Sequence, residues 1–168
     1  MINIADINAL SLADFVARFG FLFEHSPWVV EAAAAERPFA DLAAMESILM
    51  ASLRNTGEAA VLAVLRAHPE LGSRALLEKT LTASSTTEQR SAGLDRLTTN
   101  EVDGFATLNA TYKARFGFPF IICVRLTSKD GIVEAMHQRL ANSPQQEIET
   151  ACAEVAKIVH LRLMDICA

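Results

Sequence analysis

Apolar residues recur along most of the chain at intervals of three and four, and the runs they form are separated by capping residues. Ser11 precedes LADFVARF, with Asp14 three positions on and Gly20 behind, which predicts a short capped helix. Ser26-Pro27 sets an N-cap before a proline at the first helical position and opens PWVVEAAAAE, which Arg37-Pro38 stops. Asp41 caps LAAMESILMASLR, ending at Asn55 and Gly57. EAAVLAVLRA then runs into His68-Pro69, where the pre-proline residue disfavours the helical region. Behind a loop over 69–84, Ser85-Thr86-Thr87-Glu88 reads as a capping box for EQRSAGLDRL. Thr98 or Thr99 opens a longer helix through NATYKARF to Gly117. Ser128 starts KDGIVEAMHQRLA, which ends at Asn142, and Ser143-Pro144 with Gln146 opens a last helix to the C-terminus. The pattern is all-α: about eight helices in a single compact domain over 1–168.

One stretch departs from it. In RFGFPFIICVR, at 115–125, Gly117 ends the preceding helix and Pro119 prevents its resumption. Residues 117–127 therefore read as an irregular extended connector, anchored by its apolar side chains, whose unpaired backbone groups are free to meet a ligand or water. Arg115 and Arg125, at its ends, read as structural.

Charge narrows the partners. The net charge is −5 and no lysine/arginine block occurs, so a nucleic acid or an anionic membrane is not expected as partner. Cys123, Cys152 and Cys167 are odd in number and form no CxxC, as in a reduced compartment. No apolar run approaches the roughly 20 residues of a membrane span. The N-terminus lacks a positively charged leader and the chain ends DICA, without a peroxisomal tripeptide, so a cytoplasmic location is expected.

Three polar residues stand out against this background. Ile148, Cys152, Val155, Val159 and Ile166 form the apolar stripe of the last helix, and Arg162 lies on it where a leucine is expected. An inward guanidinium needs an anion or several acceptors: a glutamate of the same chain, a stem that snorkels to the surface, or a substrate. His68 has a fixed backbone ahead of Pro69 and a ring that titrates near neutrality, and it is also suited to the negative end of its helix dipole. Glu88 is either the partner of Ser85 in a cap or a carboxylate in a cleft. The four histidines, 25, 68, 137 and 160, show no metal-binding spacing, and no GxSxG, P-loop or dinucleotide fingerprint occurs. Neither a metal nor a cofactor is expected. By themselves these residues name no reaction.

Longer motifs do. FLFEHSPWV at 21–29, LRAHPELG at 65–72, SSTTEQRSAGL at 84–94, NATYKARFGFPFIICVR at 109–125 and RLANSPQQEIETACAEVAKIVHLRL at 139–163 follow in this order. In them the chain resembles the 2-oxo-4-hydroxy-4-carboxy-5-ureidoimidazoline (OHCU) decarboxylases of urate breakdown, carboxy-lyases that act without a cofactor. The resemblance implies an all-helical homodimer that forms (S)-allantoin and CO2 from a small anionic ureidoimidazoline. It places the catalytic histidine on His68, the essential acid on Glu88 and the substrate-binding arginine on Arg162. Pro69 lies beside the ligand, and the substrate-contacting segments fall on Ser85, Thr86, Thr87, Glu88 and Gln89, and on Phe120, Ile121, Ile122, Cys123 and Val124. Two other readings stay open at this point: a helical small-molecule binding module without catalysis, and a related cofactor-free lyase acting on another ureido or oxo acid.

Overall fold

Capping decides where most helices begin in the computed structural model, which describes residues 1–73 and 81–167. The loop expected over 69–84 lies in part outside the described residues. The described chain falls into two compact units, Met1–Ala67 with Val155–Ala168, and His68–Glu154.

The first unit holds helices α1 (Ile4–Ala9), α2 (Leu12–Phe19), α3 (Pro27–Ala34), α4 (Leu42–Arg54) and α5 (Glu58–Ala67). Helix α1 is not among the expected elements. Its six residues are too few for a periodic signature, but Asn3 caps it by accepting the Asp6 N–H at 2.9 Å. Ser11 and Asp41 cap α2 and α4 as expected, accepting from Asp14 at 3.1 Å and from Ala44 at 2.7 Å. Ser26 precedes α3 but does not cap it through its side chain, because its hydroxyl donates instead to the Glu24 carbonyl, 3.0 Å away. Helix α3 packs against both α2 and α4. Their inward residues Phe15, Phe19, Val29, Val30, Met45 and Leu49 are fully buried. Phe15 stacks obliquely on Phe19, with centroids 4.9 Å apart.

The second unit holds α6 (Ala83–Ser91), α7 (Thr99–Phe116) and α8 (Lys129–Arg139). The last helix, α9 (Pro144–Ile166), gives its first part to this unit and, from Val155 on, belongs to the first. Ser143 and Gln146 form the expected reciprocal cap of α9, at 3.3 and 3.0 Å. Thr98 and Glu101 do the same for α7.

The start of α6 differs from expectation. No capping box joins Ser85 to Glu88: the N-cap is Thr82, which accepts the Ser85 N–H at 3.3 Å, so Ser85 and Glu88 both lie inside the helix. Hydroxyl residues crowd the TASSTT stretch and any of several is a competent cap. Burial decides among them, since a start at Ala83 turns Ser85 and Gln89 inward. Nor does α6 run on to 97. Gly93 adopts the left-handed conformation, φ 74°, and a 3-10 turn follows at Leu94–Arg96.

Residues 117–123 carry no helix or strand and pass into a 3-10 turn at Val124–Leu126, so the connector expected at 117–127 is present. Among the described residues there is no strand, only an isolated parallel bridge between Ile2 and Cys167. The fold is all-α.

Candidate active site

Helix α5 stops at Ala67, and His68 and Pro69 follow it, both half-buried. The turn they open is held at several points. The buried Gln89 amide accepts the Gly72 N–H at 3.1 Å and donates to the Glu70 carbonyl at 3.4 Å. Asn109, 3% exposed, donates from its amide to the Leu71 carbonyl at 2.9 Å. Lys113 pairs with Glu70 at 3.1 Å. Gly72 has φ 59°, and a Cβ there would lie 2.9 Å from the Leu97 Cδ1 and 3.0 Å from the Phe105 ring, so only glycine suits this turn. His68 is thus presented by a backbone with little freedom.

Helix α6 carries Ser85, Glu88 and Gln89 at i, i+3 and i+4, which is one face. Ser85 and Gln89 are buried, Thr86 and Glu88 half-buried. Thr87 is exposed and its hydroxyl donates to the Ala83 carbonyl at 2.9 Å. Helix α6 packs against the Val124–Leu126 turn. Burial pushes the Cys123 thiol above its ordinary value, and the Glu154 and Glu88 carboxylates add to the rise, which places the charge of Glu88 near the connector.

In the connector Phe120, Ile121, Cys123 and Val124 are buried and Ile122 is half-buried. Its backbone is gripped by charged side chains. Cys123 N–H donates to Glu154 Oε2 at 2.8 Å, and the Ile121 carbonyl accepts from Arg139 Nη1 at 2.8 Å. One unit therefore joins the turn behind His68, the α6 face and the connector: Gln89 links the first two, and the packing of α6 links the last two.

Arg162 belongs to the other unit. It is 4% exposed, as its place on the apolar stripe predicts. Its Nη1 donates to the Phe21 carbonyl at 2.8 Å and the Leu22 carbonyl at 3.4 Å, and Nη2 lies 3.5 Å from the buried carboxylate of Glu24. The intramolecular glutamate that the sequence left open exists, and it is Glu24. Arg115 donates to the Asn142 carbonyl at 3.1 Å and lies over the Phe116 ring. Arg125 is exposed.

Sequence inspection missed the polar residues that brace these parts: the buried Asn109, Glu147 and Glu24, and the half-buried Arg139. The signal that marks Arg162 also marks two of them. Asn109 falls on the stripe of Phe105, Tyr112 and Phe116, and Glu147 on that of Ala151 and Val155. Among the described residues no three His, Cys, Asp or Glu side chains gather as for a metal ion.

Comparison with known proteins connects this geometry to a family. The OHCU decarboxylase family model matches residues 8–164. The 2-oxo-4-hydroxy-4-carboxy-5-ureidoimidazoline decarboxylase of Xenopus laevis is 38% identical over 160 residues, covering 95% of this chain and 91% of its own. That of Haloferax volcanii is 38% identical over 164 residues, covering 98% and 95%. The crystal structure of an (S)-allantoin synthase superposes with a TM-score of 0.80 at 25% identity, over all of this chain and 54% of that one. The chain belongs to the OHCU decarboxylase family.

Proposed function

We propose that the protein decarboxylates 2-oxo-4-hydroxy-4-carboxy-5-ureidoimidazoline to (S)-allantoin and CO2 in urate breakdown. The observation that carries this is the family match over 8–164, with relatives that bear the decarboxylase's name aligned over more than nine-tenths of their length.

The chemistry suits a chain that supplies only side chains and backbone. Breaking the bond to the carboxyl carbon releases CO2 and leaves an electron pair on the ring carbon. The adjacent ring C=N accepts that pair, so the substrate brings its own electron sink and no bound cofactor is required. The ring nitrogen that took the pair and the carbon bearing the ureido group each then gain a proton, and the ring hydroxyl gives up its own to become a carbonyl, so that one proton is taken up overall. Delivery to one face sets the S centre. The protein's tasks are to orient the carboxyl group across the ring and to move those protons.

His68 is the proton carrier, held by the clamped turn behind it. Glu88, with Ser85 and Gln89, receives the hydroxyl and N–H edges of the ring. Thr86, Thr87, Pro69 and the 120–124 backbone complete the contacts that the resemblance assigns. Arg162 answers the substrate's negative charge. The active form is a homodimer in the cytoplasm, carried from the same resemblance.

His68→Asn keeps a half-buried polar side chain and removes the acid/base. Turnover to optically active allantoin should fall by about 10²–10⁴-fold with an unchanged circular dichroism spectrum of the fold. Near-normal turnover would contradict the assignment.

A further inference from the structure

A buried polar network that the steps above leave unused ends on the connector. Glu147 is fully buried, and its carboxylate accepts from Arg139 Nε at 2.8 Å, from the Asn142 amide at 2.6 Å and from the Tyr112 hydroxyl. Arg139 Nη2 donates to the same carboxylate. With these partners the carboxylate holds the guanidinium in one orientation. The remaining arm, Nη1, reaches the Ile121 carbonyl at 2.8 Å, and the guanidinium carbon lies 4.4 Å over the Phe120 ring. Tyr112 meets that ring edge-on, with centroids 5.1 Å apart.

This fixes a peptide plane. In a planar trans peptide the C=O and the next N–H point in opposite directions, so holding the Ile121 oxygen on Arg139 aims the Ile122 N–H away from it. A charged donor on the carbonyl also polarises the peptide and strengthens its N–H as a donor. On the other side, Cys123 N–H is taken by Glu154. Ile122 thus sits between two pinned neighbours. It is the half-buried residue among buried ones in 120–124, and among the described residues its N–H makes no hydrogen bond.

We propose that Arg139, clamped by Glu147, is a positioning residue that aims the Ile122 N–H at the 2-oxo group of the substrate. The inference rests on the decarboxylase reading. Electrons pushed into the ring C=N spread onto that oxygen as CO2 leaves, so a fixed donor there binds the transition state better than the ground state. Loss of the donor's aim lowers kcat and leaves KM nearly unchanged.

The test must avoid stranding a buried charge, which by itself is strongly destabilising. The double variant Arg139→Met with Glu147→Gln removes both charges together and leaves a neutral amide in reach of Tyr112 and Asn142. The substrate is generated in situ from urate, and wild-type protein is run beside it. The expected result is a folded double variant with kcat down by about 10–10²-fold, KM within about twofold, and an intermediate kcat for Arg139→Lys, which keeps the charge but not the planar fork. A folded double variant, or an Arg139→Lys variant should the double one not fold, with the wild-type kcat would overturn the proposal. Wild-type protein that forms no optically active allantoin would instead remove the decarboxylase reading beneath it.

Discussion

Arg162 holds two carbonyls and a carboxylate at once, and that sets how its variants must be read. The carbonyls of Phe21 and Leu22 end the 3-10 turn at Gly20–Leu22, where backbone acceptors lack helical partners. Removing the arginine would also leave Glu24, 3% exposed, without the charge it faces. Such losses cost about 3–5 kcal/mol, so an alanine variant confuses folding with activity. Arg162→Lys keeps the charge and shortens the reach of its donors. It should retain the fold and lower kcat/KM by about 10²-fold, measured beside a thermal melt. Unchanged kcat/KM would make the arginine purely structural. The residue was legible in the sequence because a charge on an apolar stripe is conspicuous. What it binds was not, since Glu24 lies near the opposite end of the chain and no local pattern joins the two.

At the scale of elements, caps and turns decide what the active-site side chains face. Helix α6 shows where inference from a cap breaks down: in TASSTT the hydroxyls are locally equivalent, and the tertiary burial of Ser85 and Gln89 selects Thr82. Glu88 therefore carries no capping duty, and its replacement is free of that cost. At helix α7, where the sequence left Thr98 and Thr99 both open as the start, a reciprocal box with Glu101 selects Thr98. Thr98 N–H donates to Glu101 at 2.7 Å, Glu101 N–H returns to the Thr98 hydroxyl at 3.4 Å, and Lys129 of α8 pairs with the same carboxylate. Lys129 first, and then Thr98, hold the Glu101 carboxyl down at about 2, against the usual 4.5. A depressed carboxyl stabilises the folded state above its unfolded value and loses that contribution as pH falls through the folded one. Glu101→Gln should therefore melt below wild type at pH 7, with the gap narrowing below about pH 4.5 and closing near 2. A gap independent of pH would show that the charge of Glu101 does not matter. The connector follows the same logic: its irregularity was readable from Gly117 and Pro119, whereas its pins, Arg139 and Glu154, come from distant helices.

For the molecule as a whole, helix periodicity and family resemblance carry different amounts. Apolar spacing and caps predict the all-α class and most helix positions, and miss α1 because its six residues hold a single buried side chain, Ile7. They do not foresee that the turn at 68–72, the α6 face and the connector are joined through Gln89 and the packing of α6 on the turn at Val124–Leu126, since those contacts are long-range. Resemblance supplies the reaction, which no spacing of His68, Glu88 and Arg162 could name. The central claim is stereospecific decarboxylation, and the substrate also decays unaided to racemic allantoin, so the appearance of product decides nothing. The direct measurement generates the substrate in situ from urate and follows circular dichroism of the solution with the purified protein. Rapid appearance of optically active (S)-allantoin, at a rate proportional to protein, is the predicted result; slow racemic product at the rate seen without protein would contradict it.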